Sequence, residues 1–246
     1  MHQRAAENRL SIAYTLLVAL GATASITAGI AWGHWKDTLA NSSIRNASCI
    51  LYARHTQLHF VGGEIAPCIW VTFGPLIYVL FCVGLACFHG FRVLFGTKGT
   101  HTRTITTINE AGETVIMQAV QSEQTSPLPR AYWIVGSVFC CVFTAYSLAH
   151  FSIYLDGYLE TCKQYRQTLI KLLGVHGTVM PVIHGRLACN AVFDFMDYMQ
   201  PDTGNAYRDG FINTAADLII GIVSSTFSWV IFLYAAFVNI KFARMK

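Results

Sequence analysis

Asn41-Ser-Ser-Ile-Arg-Asn46-Ala-Ser-Cys49, continued to Ala66-Pro67-Cys68, forms a loop that orients everything else in the chain. It holds two glycosylation acceptor patterns, at Asn41 and Asn46, and a cysteine at each end of its second half. Glycosylated asparagines and paired cysteines both belong outside the cytosol. The loop therefore sets the direction in which its flanking apolar segments cross a membrane.

Four such segments follow the bilayer rule of about 20 apolar residues per crossing. They are Ser11–Trp32, Ile69–Phe91, Ala131–Leu155 and Phe211–Ile240. The chain is 54% hydrophobic and 12% charged, about half the charge of an average soluble protein. The first segment carries no charged residue and is not followed by a cleavage site, so it reads as a retained helix. The expected fold class is all-α membrane. It is a four-helix transmembrane bundle, one domain over residues 1–246, with spans near 11–32, 69–91, 131–155 and 211–240. Disulfide-braced extracellular loops occupy 33–67 and 156–210, and a cytosolic loop occupies 92–130.

Four crossings place both termini on one side. Lysine and arginine divide almost evenly, 9 with the termini and the 92–130 loop and 8 in the other two loops. Their density is higher on the side of the termini, where Lys241, Arg244 and Lys246 cluster, and this side reads as cytosolic. No basic stripe with interleaved aromatics exists, which argues against nucleic acid as a partner. Cys49, Cys68, Cys162 and Cys189 fall in or beside the two loops of the opposite face. Four cysteines in an oxidising compartment read as two disulfides with three possible pairings. One bridge per loop, Cys49–Cys68 and Cys162–Cys189, is favoured, with a cross-loop pairing as the alternative. Trp32, Trp35 and Trp70 are expected at the outer interface and Trp133 at the inner one.

Within the spans, Gly21, Ser25 and Gly29 recur every four residues on one helix face, and Gly221 and Ser225 repeat the pattern in the last span. Small residues at this spacing let another helix approach closely. That helix belongs either to this bundle or to a partner. Gly74-Pro75 permits a kink in the second span. Cys82, Cys140 and Cys141 read as packing residues, and Cys87 as a buried thiol or a palmitoylation site near the cytosolic end. His150 reads as an interfacial hydrogen-bonding residue, and Asp217 as lying at the outer interface, just before the uncharged Leu218–Val238 core.

Outside the spans, Gln57–Gly63 reads as a short strand and turn. The β-branched runs on either side of Asn109-Glu-Ala-Gly112 predict a cytosolic β-hairpin over about 103–120, docked on helix ends or a partner. Leu159–Leu173 reads as a separate amphipathic helix through Tyr165, Leu169 and Leu172. Asp194, Asp197, Asp202 and Asp209 lack the D-x-D-x-D-G spacing of a calcium loop. Cys162, His176, His184 and Cys189 are spaced too irregularly for zinc, and disulfides are favoured. No metal, cofactor or small-molecule substrate is implied. The spans carry no lysine, arginine or paired carboxylates, and the chain has no H-E-x-x-H, G-x-S-x-G or P-loop pattern. An enzyme is therefore not expected.

Cys49-Ile-Leu-Tyr52 with the Pro67-Cys68 pair, and Glu160-Thr-Cys162 with Ala188-Cys189 and the polar aromatic run before the last span, resemble the transmembrane protein 179 family of four-pass proteins. The resemblance implies the topology and no defined chemistry, and the cytosolic loop is longer here. The layout also resembles claudins and channel gamma subunits, without the W-G-L-W pattern of a claudin loop. The functional expectation is a non-enzymatic accessory subunit in the plasma membrane. It would pack through Gly21, Ser25, Gly29, Gly221 and Ser225 against a larger membrane protein, by preference an ion channel or receptor, and against lipid. A self-associating adhesion or scaffold protein is the rival reading, and a small oligomeric pore or transporter a third.

Overall fold

Long uncharged runs, which leave no polar face to interrupt a helix, become four helices long and apolar enough to cross a membrane. The structure is a computed structural model that describes residues 3–40, 47–55, 60–95, 100–108, 114–122, 128–174, 188–199 and 212–245. In chain order the elements are α1 (Gln3–Leu39), β1 (Ala47–His55), β2 (Phe60–Glu64), α2 (Ile65–Phe95), β3 (Thr100–Ile108), β4 (Thr114–Ser122), α3 (Arg130–Gly174), α4 (Cys189–Met199) and α5 (Thr214–Met245). Helix α1 packs against α2 and α5, and α5 against α3, whereas α2 and α3 meet over a shorter length. The two acceptor asparagines, Asn41 and Asn46, lie outside the described residues.

Two clusters form the interior. One, at the end remote from the termini and here called the head, gathers Trp35, Ile50, Leu51, Tyr154, Phe193 and Met196 around both disulfides. The other, toward the termini, gathers Leu10, Tyr14, Tyr78, Trp133, Phe232 and Phe242. Trp35 and Trp133 are therefore core residues with no solvent exposure rather than members of an aromatic belt. Trp133 stacks on Phe242 with ring centroids 4.8 Å apart.

The head contains a strand the sequence did not announce. β1 pairs antiparallel with β2, but between Cys49↔Gly63 and Arg54↔Val61 it carries extra residues in a bulge. Such a bulge breaks the two-residue alternation by which strands are recognised. Tyr52 sits inside it at φ 57°, a left-handed conformation uncommon for a bulky residue. Gly62-Gly63 makes the close pairing possible, since a Cβ on Gly63 would lie 2.7 Å from the Tyr52 carbonyl oxygen. The expected strand near Gln57–Gly63 is observed slightly later, at Phe60–Glu64.

The separate helix expected at Leu159–Leu173 is instead the continuation of α3, which runs unbroken for 45 residues. A glycine inside a helix costs only about 1 kcal/mol. Here Gly157 is the point where β1 lies on the helix, and a Cβ would stand 2.9 Å from the Leu51 Cβ. The predicted hairpin forms with regular register from Thr100↔Ser122 to Ile108↔Thr114, longer than the 103–120 expected. Its expected docking falls on side chains outside the described residues.

Candidate functional site

Two regions gather the polar chemistry of this fold, the head and the seam between α2 and α3. In the head, Cys49–Cys68 ties β1 to the start of α2, and Cys162–Cys189 ties α3 to α4. These are the one-per-loop pairings. The bulge of β1 is held by Thr161 of α3. Its hydroxyl donates to the Ile50 carbonyl at 2.7 Å and accepts from the Ala53 amide at 3.1 Å. Backbone groups that the bulge removes from the ladder thus find partners on a neighbouring helix.

Asp197 of α4 caps α5. It accepts from the Thr214 amide at 2.9 Å and the Thr214 hydroxyl at 2.6 Å, and Thr214 in turn accepts from Trp35 Nε1 at 2.7 Å. A carboxylate at a helix N-terminus satisfies an amide and complements the helix dipole. Asn213 caps the same end through the Ala216 amide at 2.8 Å. Burial nevertheless pushes the Asp197 carboxyl above its ordinary value, against the lowering effect of the Thr214 bonds. Burial likewise raises the Tyr52 phenol to about 12. Asp202, Asp209, His176 and His184 lie outside the described residues; among the described residues, no group of three potential metal ligands is found.

The seam has two halves. In the half near the head, Pro75 lies inside α2, and its missing N–H frees the Val71 carbonyl four residues back. His150 of α3 donates from Nε2 to that carbonyl at 3.0 Å. Its Nδ1 meets the Ser225 hydroxyl of α5 at 3.2 Å, so both ring nitrogens have partners on neighbouring helices. Tyr146 adds a bond to the Gly74 carbonyl at 3.1 Å. His150 is thus a buried member of the bundle interior, not the interfacial residue that its position in the sequence suggested.

In the half near the termini, α2 and α3 part to leave a groove of about 330 Å³. Leu80 and Phe81 line one side, Val135 and Phe139 the other, and Asn239 and Tyr14 the floor. Below it, Arg92 pairs with Glu7 at 2.9 Å, and Tyr132 lies 2.9 Å from His89 Nε2.

Of the five small residues expected to meet a partner, Gly21, Ser25, Gly221 and Ser225 are buried in the interior, and Gly29 is half-buried against α2. A Cβ on Gly21 would lie 2.7 Å from Tyr78 Cε2, one on Gly29 3.3 Å from Thr72 Cγ2, and one on Gly221 2.8 Å from Tyr154 Cε1. Ser25 and Ser225 are buried. The alternative held open for them, packing within this bundle, is the one observed, because aromatic and β-branched side chains of the neighbouring helices occupy the notches. Cys82 and Cys140 are buried as expected of packing residues, whereas Cys141 and Cys87 are exposed. What the sequence did not signal is Asn239 meeting Tyr14 and Cys140, at 3.5 Å and 3.6 Å, since these residues are far apart in the chain. Comparison with family models, curated proteins and solved structures returns no match.

Proposed function

We propose that this chain is a four-pass membrane protein of the transmembrane protein 179 type, acting as a non-enzymatic accessory subunit of a larger membrane protein, an ion channel by preference. The head would face the exterior of the cell at the plasma membrane and both termini the cytosol. Exposed apolar side chains along the helix flanks, among them Phe73, Ile77, Val223, Phe227 and Phe237, support burial in lipid. The disulfides and the acceptor patterns at Asn41 and Asn46 support an oxidising compartment for the head.

The observation that carries the accessory role is the head itself. Two disulfides, the Thr161 clamp and the Asp197–Thr214–Trp35 chain join the ends of the long helices into one braced surface. A surface braced in this way pays little ordering entropy on meeting a partner. With Gly21, Ser25, Gly29, Gly221 and Ser225 consumed internally, contact with the partner falls to the head and to the apolar flanks.

The test is purification of the tagged protein in mild detergent, followed by measurement of particle mass and subunit ratio. One larger membrane protein at a fixed ratio is expected, released when Cys162 and Cys189 are both replaced by serine. A particle containing this chain alone, as a homo-oligomer, would refute the accessory role and favour self-association.

A further inference from the structure

The two bridges of the head differ in how a small thiol could meet them. Cys49 and Cys68 are 0% and 2% exposed, so the first bridge is shielded on both sides. In the second, Cys162 is 1% exposed, whereas Cys189 is partly exposed and stands between the exposed residues Ala188 and Asn190. Thiol exchange needs a thiolate to reach one sulfur while the other departs, so access favours attack at Cys189 with Cys162 leaving. That leaving group has a cation at hand. Arg166, four residues along α3 from Cys162, directs Nη2 at its Sγ from 3.9 Å. A guanidinium beside a sulfur stabilises the thiolate, and a more stable thiolate leaves faster.

What this bridge holds makes its opening consequential. Helix α4 begins at Cys189 and has 11 residues. Helices shorter than about 12–15 residues are marginal in water, so α4 depends on its anchors. One anchor is the bridge. The others are Val192, Phe193 and Met196, packed in the head, with Phe193 stacked on Tyr158 at 5.0 Å. In its last turn, Asp197 caps the start of α5 through Thr214, which in turn accepts from Trp35. Loss of the first anchor therefore loosens the helix that supplies this cap.

We propose that Cys162–Cys189 is a thiol-operated switch of the head. A small-molecule thiolate of the glutathione class attacks Cys189 Sγ and forms a new S–S bond to it. The bond between Cys189 and Cys162 breaks, and its electron pair leaves on Cys162 Sγ beside Arg166. A second thiolate removes the first as a small-molecule disulfide, leaving two protein thiols. Asp197 then releases Thr214, and the first turn of α5 frays. That this loosening also frees a partner rests on the accessory reading above.

The full-length protein in detergent has its four free thiols blocked, is treated with reduced glutathione, and is alkylated at intervals for mass spectrometry. Cys162 and Cys189 are expected to become alkylated about tenfold or more faster than Cys49 and Cys68, with the glutathione adduct on Cys189. Arg166→Gln is expected to slow opening about fivefold, and Arg166→Lys, which keeps the charge, to restore most of the rate. Amide exchange at 214–218 is expected to rise about tenfold or more once the bridge is open. Equal rates for the two bridges, an adduct on Cys162, a wild-type rate in Arg166→Gln, or unchanged exchange at 214–218 would each overturn the switch. All of these readouts come from this chain alone. Absence of any partner on purification therefore refutes the accessory reading and leaves the switch standing, whereas a partner that stays bound through opening overturns the link between them.

Discussion

Replacing His150 by leucine tests how the kinked helix α2 is held. Pro75 withdraws the amide that would bond the Val71 carbonyl, and His150 Nε2 supplies the substitute at 3.0 Å. Leucine leaves that buried carbonyl unsatisfied, which costs about 1–3 kcal/mol, and it removes the Ser225 bond, worth about 0.5–1.5 kcal/mol net. The sum is about 2–4 kcal/mol, or roughly 5–15 °C in Tm for a chain of this size. Pro75→Ala provides the decisive second background. An alanine amide at position 75 can bond the Val71 carbonyl within the helix, so the histidine becomes redundant for that purpose. In that background His150→Leu should cost only about 0.5–1.5 kcal/mol, leaving a coupling of about 1–3 kcal/mol in the double-mutant cycle. Thermal unfolding of the four proteins in one detergent supplies the numbers. A coupling within about 0.5 kcal/mol of zero would refute the reasoning, because it would mean that His150 and Pro75 act independently.

Thr161→Val should destabilise by about 2–5 kcal/mol, because it strips partners from both Ile50 and Ala53, while Thr161→Ser should stay within about 1 kcal/mol of wild type. Equal unfolding temperatures for the two variants would remove the clamp from the account. Gly21→Ala should cost about 1–3 kcal/mol against Tyr78, whereas Gly33→Ala, with open space around it, should be neutral or stabilising by about 0.5–1 kcal/mol. Opening either disulfide by paired Cys→Ser exchange should cost roughly 3 kcal/mol, given closed loops of 19 and 27 residues. Unchanged unfolding after reduction would contradict this. For Asp197, burial raises the folded-state value above the unfolded one, so the folded protein binds the proton more tightly. Its contribution to stability therefore rises as pH falls through the window just above the ordinary carboxylate value, and declines as pH climbs through it. The stability of wild type relative to Asp197→Asn should grow as pH is lowered across that window. The opposite slope would show that the Thr214 bonds outweigh burial.

The helices and the disulfide pairing were legible because each rests on local signals, namely span length, charge gaps and cysteines grouped by loop. The bulged strand β1 was not legible, since its pairing with β2 breaks the alternation that identifies strands, and its unpaired groups are satisfied by Thr161, about a hundred residues away. The Leu159–Leu173 stretch misled in the opposite direction. It was read as a separate helix and is instead the end of α3, with Gly157 a notch cut for Leu51 and Tyr52. The small-residue faces were recognised, but sequence spacing says only that a helix packs there and not whose it is. Pro75 and His150 were each noticed, and their partnership depends on the contact between α2 and α3 that no local pattern encodes.

That contact also explains where the bundle is open. Along the α1–α2 seam, Gly21 and Gly29 receive Tyr78 and Thr72, and Gly221 of α5 receives Tyr154 of α3, so these seams close on aromatic and β-branched side chains. Between α2 and α3 the half near the head is closed differently, by Tyr146 on Gly74 and His150 on Val71. Those bonds lie within two helical turns of Cys68 and so couple this half to the braced head. The other half has glycines that do not close it. Gly84 meets nothing, and Gly136 faces the Asn239 amide of α5 instead of a side chain of α2. Opening the Cys49–Cys68 bridge should therefore loosen the upper half first. Hydrogen exchange on α2 tests this. Protection lost at 68–75 on reduction and kept at 80–85 is the expected pattern, whereas a uniform change along the helix would show that its two halves move as one.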